Sequence, residues 1–522
     1  MRSLRILALA ALVVLGGCGK HGGGAADFVI VAGSENKTLE PIVQDFCKQQ
    51  HKTCEMRYEG SLDIGMSTAP GHVPEADAVW PAASLWIDLY DSSRQVKYLH
   101  SISQSPVILG VRMSEAKRLG WVGAKVKTSD IVEAVDGGKL KFLMTSATQS
   151  NSGASAYLAM LAAVVGQPDV IEAKDLDNAA LRTKIKKLLG GVERSAGSSG
   201  WLKDLYLKNR PGGAPYQAMW NYEAVIKETN DELARTGGEK LYAVYPADGV
   251  FMSDSPLGFV DRKRGPDTEA FFKALQAHLL SPGVQAQIAA TGRRVALGAA
   301  APAKAEPDWN FDPSRLVTSV RVPDPAVIRT ALGLYQEVLR RPSLTAFCLD
   351  FSGSMEGDGV KQVKDAMQLL LTKEKAADAF IQWTPRDKIY VLPFESTVIA
   401  DDSGTATDDT QSRLLAGVMA RDAGGGTHMH ECLTQALARV RADPQFATSL
   451  PAVVVMTDGR SEDDAALFTQ AWQSGPPVPV FAVTFGDADD SQLTSVTELT
   501  QGRVIDGRKN LADAFRATRG YN

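Results

Sequence analysis

The chain has 522 residues, of which 44% are hydrophobic and 22% charged, and its formal net charge is -5. At roughly 150 residues per domain, this length predicts about three domain-sized bodies, and the balance is that of a globular chain. So slight an acidic excess leaves no overall basic footprint, which argues against nucleic acid as a partner.

The first residues set the compartment. Arg2 and Arg5 make the start cationic, residues 6–15 are apolar, and Gly16-Gly17 leads into Cys18. That layout predicts a secretory signal over residues 1–17, with an apolar core too short to span a bilayer. Leu15-Gly16-Gly17-Cys18 resembles the bacterial lipobox, which implies cleavage before Cys18 and acylation of that cysteine. The resemblance implies a lipid-anchored, periplasm-facing envelope protein. Gly19 stands where inner-membrane retention signals carry Asp, so outer-membrane delivery is the expectation. Gly-rich residues 18–26 read as a flexible tether. No later run of about 18 uninterrupted apolar residues follows, so the remainder is expected to stay in water.

Cysteine use fits an exported chain. Cys47 falls near the end of a helical run over residues 39–50 and Cys54 opens the next alternating segment, so a small disulfide loop between them is expected. Cys348 reads as a buried core thiol.

Residues 27–297 alternate apolar strands with helical segments, the pattern of βαβ units. An apolar run over 28–32 ends at Gly33-Ser34-Glu35-Asn36. Another over 141–144 ends at Thr145-Ser146 and continues to Ser150-Asn151-Ser152, before a helix through Tyr157, Leu161 and Val164. Helix starts attract anions through free N–H groups and the helix dipole. Ser34, Asn36, Ser61, Thr145, Ser146, Ser150, Asn151 and Ser152 are therefore the candidate ligand-binding set, although each also suits ordinary capping. Glu35 disfavours an anion at the first loop unless it pairs or turns away. Trp80, Trp86, Trp201, Trp220 and Tyr222 suit either a cleft lining or a core.

This ordering resembles type 2 periplasmic solute-binding proteins. Residues 105–110 look like that family's inter-lobe strand, 241–249 like its return strand, and 271–294 like its closing helix. The resemblance implies two α/β lobes with a ligand between them. The ligand class stays open among oxyanion, organic acid, sugar and peptide, and the alternative is a body that serves as a spacer.

Residues 298–341 form the linker. Gly298 to Pro307 is small-residue and proline-marked. Beyond it, Val327, Ile328, Ala331, Leu334, Val338 and Leu339 recur at helical spacing over 326–340. That stripe needs an apolar surface to cover it. It is expected to dock near the start of the last body and couple the orientations of the two.

Residues 342–522 make the last body. The apolar run 344–349 stops at Asp350-Phe-Ser352-Gly-Ser354, and Asp358 is placed to cap the helix through Val360, Val363, Met367, Leu370 and Leu371. Gly424-Gly-Gly-Thr427-His precedes another helical segment, and the run 452–457 ends at Asp458. Oxygen-bearing loops thus gather where strands end, which is where open α/β sheets bind ligands. Asp350-x-Ser352-x-Ser354, Thr427 and Asp458 resemble the metal site of von Willebrand factor type A domains. The resemblance implies a doubly wound, Rossmann-like domain holding Mg2+, or alternatively Mn2+ or Ca2+. In it, Ser352, Ser354 and Thr427 act as hydroxyl ligands and Asp350 and Asp458 act directly or through water. The ion is then left open to an acidic residue of a protein partner.

His428, His430 and Glu431 lack a third ligand for zinc and read as rim residues. Residues 462–464 read as a solvated acidic loop, with tuning of the field near Asp458 as the alternative, and residues 401–411 read as a surface loop. The Ser352 segment lacks the nucleophile-elbow pattern, so no enzyme is expected. The whole reads as α/β, a two-lobed periplasmic-binding-protein-like body followed by a von Willebrand factor type A domain. The expected function is binding of a protein partner through the metal, with gating by a small ligand in the first body as an option. The alternative is a solute receptor for a membrane transporter in which the last domain is structural or assists assembly.

Overall fold

The computed structural model describes residues 26–208, 215–378, 380–458, 460–485, 490–507, 514 and 518. The expected signal segment, Cys18 and the expected tether up to residue 25 lie outside the described residues.

Three sheets carry the fold. The first contains β1 (Phe28–Gly33), β2 (Cys54–Glu59), β3 (Ala78–Trp80), β4 (Val96–Ser101) and a late strand, Pro256–Val260. The second contains β5 (Ser105–Arg112), β6 (Phe142–Thr145), β7 (Val192–Ala196), β8 (Ala218–Tyr222), β9 (Leu241–Val244) and β10 (Met252–Ser253). With Pro256–Val260 as β11, the orders are β2-β1-β3-β11-β4 and β10-β5-β8-β6-β7, with β9 also on β5. The chain therefore leaves lobe 1 after β4 and returns between β10 and β11. The stretch 241–249 is not the return strand: Leu241–Val244 pairs antiparallel with β5 inside lobe 2.

β1 is buried along its whole length, as a continuous apolar run requires when both sheet faces are covered. Helices Pro266–Leu279 and Pro282–Ala290 close one face of lobe 1 through Phe272, Leu275, Leu279, Val284 and Ile288. In lobe 2, helix Asn151–Val165 is buried on nearly every side, so it carries no polar face. Trp80, Trp86, Trp220 and Tyr222 are core residues.

The third sheet contains β12 (Ser343–Asp350), β13 (Lys388–Phe394), β14 (Asp402–Thr405), β15 (Leu450–Thr457), β16 (Val480–Thr484) and β17 (Arg503–Asp506). Its order, β14-β13-β12-β15-β16-β17, is the doubly wound order 3-2-1-4-5-6, and only β14 runs antiparallel. The stretch 401–411 is accordingly not a loop. It supplies this edge strand and the start of helix Asp408–Met419, capped by Thr407 accepting from Thr410 N. Asp358 does not cap its helix either, because Gly357 holds the N-cap position and Asp358 is the first helical residue.

Cys47 and Cys54 form the expected disulfide. Cys348 is buried but is not a free thiol: it is bonded to Cys432 of helix Met429–Ala442.

The linker is ordered along lobe 2. Val250 exchanges backbone hydrogen bonds with Thr318 and Val320, both at 2.9 Å, and Trp309 and Phe311 are buried. Helix Pro325–Leu334 continues as a π turn, Tyr335–Leu339. Its apolar stripe docks on the lobes rather than on the last domain, with Val338 left exposed. At its end Arg340 pairs bidentately with buried Asp387, at 3.0 and 2.7 Å. The Asp387 carboxylate also accepts from Ser343 N, anchoring the start of β12.

Candidate functional site

The oxygen-bearing loops meet at the carboxyl ends of β12 and β15. These strands pair in parallel with Leu349 opposite Met456, which brings Asp350 beside Thr457. Asp350 is fully buried. Its Oδ2 accepts from Thr457 Oγ1 at 2.5 Å and its Oδ1 from Ser352 N at 2.8 Å. Burial pushes its carboxyl up to about 6, opposed by the hydrogen bonds from Ser352 and Thr457 and reinforced by the charge of Asp458.

Ser352 Oγ lies 3.1 Å from Ser354 Oγ. The glycine loop folds against this turn, with Gly353 N donating to Gly425 O at 3.0 Å and Gly424 N to Phe351 O at 2.8 Å. Thr427 is buried, and its carbonyl accepts from Glu462 N at 2.8 Å and Ser461 Oγ at 3.2 Å. The segment after Asp458 is thereby tied to the segment before Met429. Direct bonds join Asp350, Ser352 and Ser354, and backbone bonds bind the Thr427 loop to them. Asp458 directly follows β15 and is part-exposed. The donor set is all oxygen, with two carboxylates, one raised by burial and by repulsion from the other. A hard divalent cation fits these residues and would relieve both penalties.

Two neighbouring groups went unrecognised in the sequence. Thr457, one residue before Asp458, is the hydroxyl that holds Asp350. Asp463 is no solvated loop acid: it accepts from His430 Nδ1 at 2.8 Å, from Glu431 N at 2.6 Å and from Ser461 Oγ. Burial opposes its ionisation, but these bonds from His430, Ser461 and the helix start hold its carboxyl well below the usual range. His430 is buried as the partner of Asp463, and Asp464 caps helix Ala465–Gln473.

In the first body the polar candidates separate into three groups. Thr145 Oγ1, Ser152 Oγ and Ser199 Oγ form a chain of 2.9 and 2.8 Å contacts, with Ser150 Oγ 3.4 Å from both serines. Ser150 occupies the N-cap position of helix Asn151–Val165 without making a side-chain capping bond. Asn151 accepts from Trp86 Nε1 of lobe 1 at 2.8 Å and donates to Tyr222 OH and Ser253 Oγ. Ser34 Oγ of lobe 1 accepts from Gly200 N of lobe 2 at 2.9 Å, so these residues meet at the seam between lobes.

Asn36 and Ser61 instead serve lobe 1 and its crossing. Asn36 donates to Trp80 O and accepts from Ser255 Oγ, and Ser61 accepts from Ala82 N. Ser146 Oγ lies 3.1 Å from Thr148 Oγ1 and lines a small cavity together with Tyr335 of the linker. Ser199, distant in sequence from the 145–152 loop, was missed and has no local motif that marks it.

Glu35 keeps some exposure as a residue, but its Oε1 is buried with no hydrogen-bond partner. Burial raises its carboxyl to about 7, with Arg293 opposing and Glu228 reinforcing the shift. The nearby guanidinium groups are engaged, Arg293 with Glu228 at 3.2 Å and Arg294 with Glu223 at 2.7 Å.

Two α/β lobes joined by two crossings, followed by a doubly wound domain with oxygen groups at its strand ends, define a two-lobed binding protein carrying a second domain. The chain belongs to the bacterial extracellular solute-binding protein family, which it matches over residues 28–294, and residues 345–505 match the von Willebrand factor type A domain. Among solved structures, the periplasmic binding protein P5PA is similar at 15% identity, over 60% of this chain and 99% of that one, with a TM-score of 0.43. The periplasmic binding protein AfuA from Actinobacillus pleuropneumoniae, with exogenous fructose-6-phosphate bound, is similar at 12% identity over 60% and 98%, with a TM-score of 0.44. A von Willebrand factor type A structure from Catenulispora acidiphila is similar at 19% identity over 35% and 43%, with a TM-score of 0.30. No curated protein matches the chain.

Proposed function

We propose that this is an envelope binding protein, working outside the cytoplasm, that engages a protein partner through a divalent cation held by its last domain. One observation carries the reading: a fully buried carboxylate, a second carboxylate and the Ser352 and Ser354 hydroxyls stand at adjacent strand ends, and the Thr427 loop is bonded against them. Ser352, Ser354 and Thr427 would hold the ion as neutral ligands, with Asp350 and Asp458 bound directly or through water. Bound there, Mg2+ or Mn2+ supplies an electrophilic position for an Asp or Glu carboxylate of the partner. Thr457 orients Asp350, and the Gly424–Phe351 and Gly353–Gly425 bonds set the loop spacing. Among the described residues no helix is long and apolar enough to cross a membrane, and anchoring through acylated Cys18 belongs to this proposal.

Titration calorimetry tests it: Mn2+ binds the native protein and not Asp350→Ala, and chelation releases the partner. Equal binding by both proteins would remove the metal mechanism.

A second reading is a solute receptor for a transporter. It is favoured by a family match spanning half the chain and by a seam lined with hydroxyls, Asn151 and Tyr222. A specific ligand found by a thermal-shift screen and lost in Asn151→Ala would support it.

A further inference from the structure

The linker helix Pro325–Leu334 touches both lobes at their seam. Toward lobe 1, Arg329 Nη2 donates to Leu89 O at 2.5 Å and the guanidinium lies 5.0 Å from the centre of the Tyr90 ring. Toward lobe 2, Tyr157 OH donates to Ala331 O at 2.9 Å. Val327, Ile328, Ala331 and Leu332 are buried in one core with residues of both lobes.

The next turn reaches the seam loop itself. Tyr335 is buried in one core with Ala147 and lines a small cavity with Ser146, while Gln149 O in the same loop accepts from Leu62 N of lobe 1 at 3.3 Å. One short loop is thus held between lobe 1 and the linker. The same segment then enters the last domain, where Gln336 Nε2 donates to Gln382 O and Arg340 pairs with Asp387.

We propose that helix Pro325–Leu334 is a strap across the closed lobes, so that parting of the lobes and release of this helix are a single event. Lobe 1 cannot swing from lobe 2 without breaking either the Arg329–Leu89 bond or the Tyr157–Ala331 bond and uncovering part of the helix's apolar stripe. Exposed to water, that stripe has no other surface to cover it. Packed interfaces of this kind tend to hold two discrete arrangements rather than deform smoothly. The strap therefore couples the state of the cleft to the segment that enters the last domain, which lobe 2 also holds through Arg194–Gln501 and Arg341–Val192. The inference rests on lobes able to part, as the solute-receptor reading requires, and not on the metal site.

Hydrogen exchange on the full chain tests this, with a cross-link that locks the lobes. A Cβ placed on Gly200 lies 3.3 Å from Ser34 Cβ, close to the roughly 3.5–4.5 Å of a disulfide. The oxidised Ser34→Cys/Gly200→Cys protein is compared with the native chain and with Gly200→Cys alone. The expected result is exchange at least tenfold slower both at Leu62 and in the helix over 328–334, although neither cysteine touches the helix. In the reverse direction, Arg329→Ala speeds exchange at Leu62 and Gly200 several-fold, an arm that needs no cross-link to form. Slowing at Leu62 with an unchanged helix overturns the strap and leaves the parting cleft intact. No change at either place overturns both, and normal seam exchange in Arg329→Ala overturns the strap.

Discussion

Glu35, with one carboxylate oxygen buried, and Asp387, buried whole, are acids with opposite consequences. Asp387 is matched by a bidentate guanidinium and by N–H donors from Ser343 and Thr384, so its charge is fully satisfied. Asp387→Ala leaves Arg340 buried without its counter-ion and is expected to cost about 3–5 kcal/mol, read by urea unfolding. Glu35 has no such match, and its carboxyl is raised from 4.5 to about 7. The folded state therefore holds this proton more tightly than the unfolded chain. The stability it confers is complete below about pH 4.5 and is lost as pH rises through about 7. Glu35→Gln should flatten that fall, which is on the order of 2 kcal/mol, in melting curves taken between pH 5 and 8.

At the scale of elements, close approach decides what the seam tolerates. A Cβ on Gly153, in the first turn of helix Asn151–Val165, would lie 2.1 Å from Thr145 O at the end of β6. Gly153→Ala must push helix from strand, and an expected cost of about 1–3 kcal/mol is measurable by chemical denaturation. Gly60→Ala meets Gln149 O at 2.4 Å across the lobes, so it should hold the cleft ajar with less effect on either lobe, detectable as a larger radius of gyration. The Cys47–Cys54 bridge closes a short loop between helix Glu40–Gln49 and β2. The Cys47→Ser/Cys54→Ser protein should lose roughly 2–3 kcal/mol by denaturant titration.

At the scale of the molecule, the parts readable in the sequence were those whose cause is local. The runs 28–32 and 452–457 announce buried parallel strands because nothing polar interrupts them, and Asp350 and Asp458 are conspicuous because they end such runs. Cys47 and Cys54 are close enough in sequence for their pairing to be expected. The pairing of Cys348 with Cys432 was hidden, since only the packing of helix Met429–Ala442 on β12 brings them together. The strand Asp402–Thr405 was hidden for a similar reason: its residues favour turns, and partnership with β13 overrides that preference. Ser199 joins Thr145 and Ser152 only after β6 and β7 have aligned. The linker's stripe announced that something must cover it but not what. Its destination on both lobes is a property of tertiary structure alone.

The placement of β11 bears on how the chain is made. This strand lies between β3 and β4, yet it is synthesised only after all of lobe 2. Until it arrives, β3 and β4 have no common neighbour and each presents an open edge ready to pair with other chains. The first lobe to leave the ribosome is thus unable to finish first. The sheet of the last domain is drawn from one continuous stretch of chain. A premature stop before Pro256 should therefore yield insoluble material, whereas a growing chain kept unfolded until its full length is available avoids the hazard.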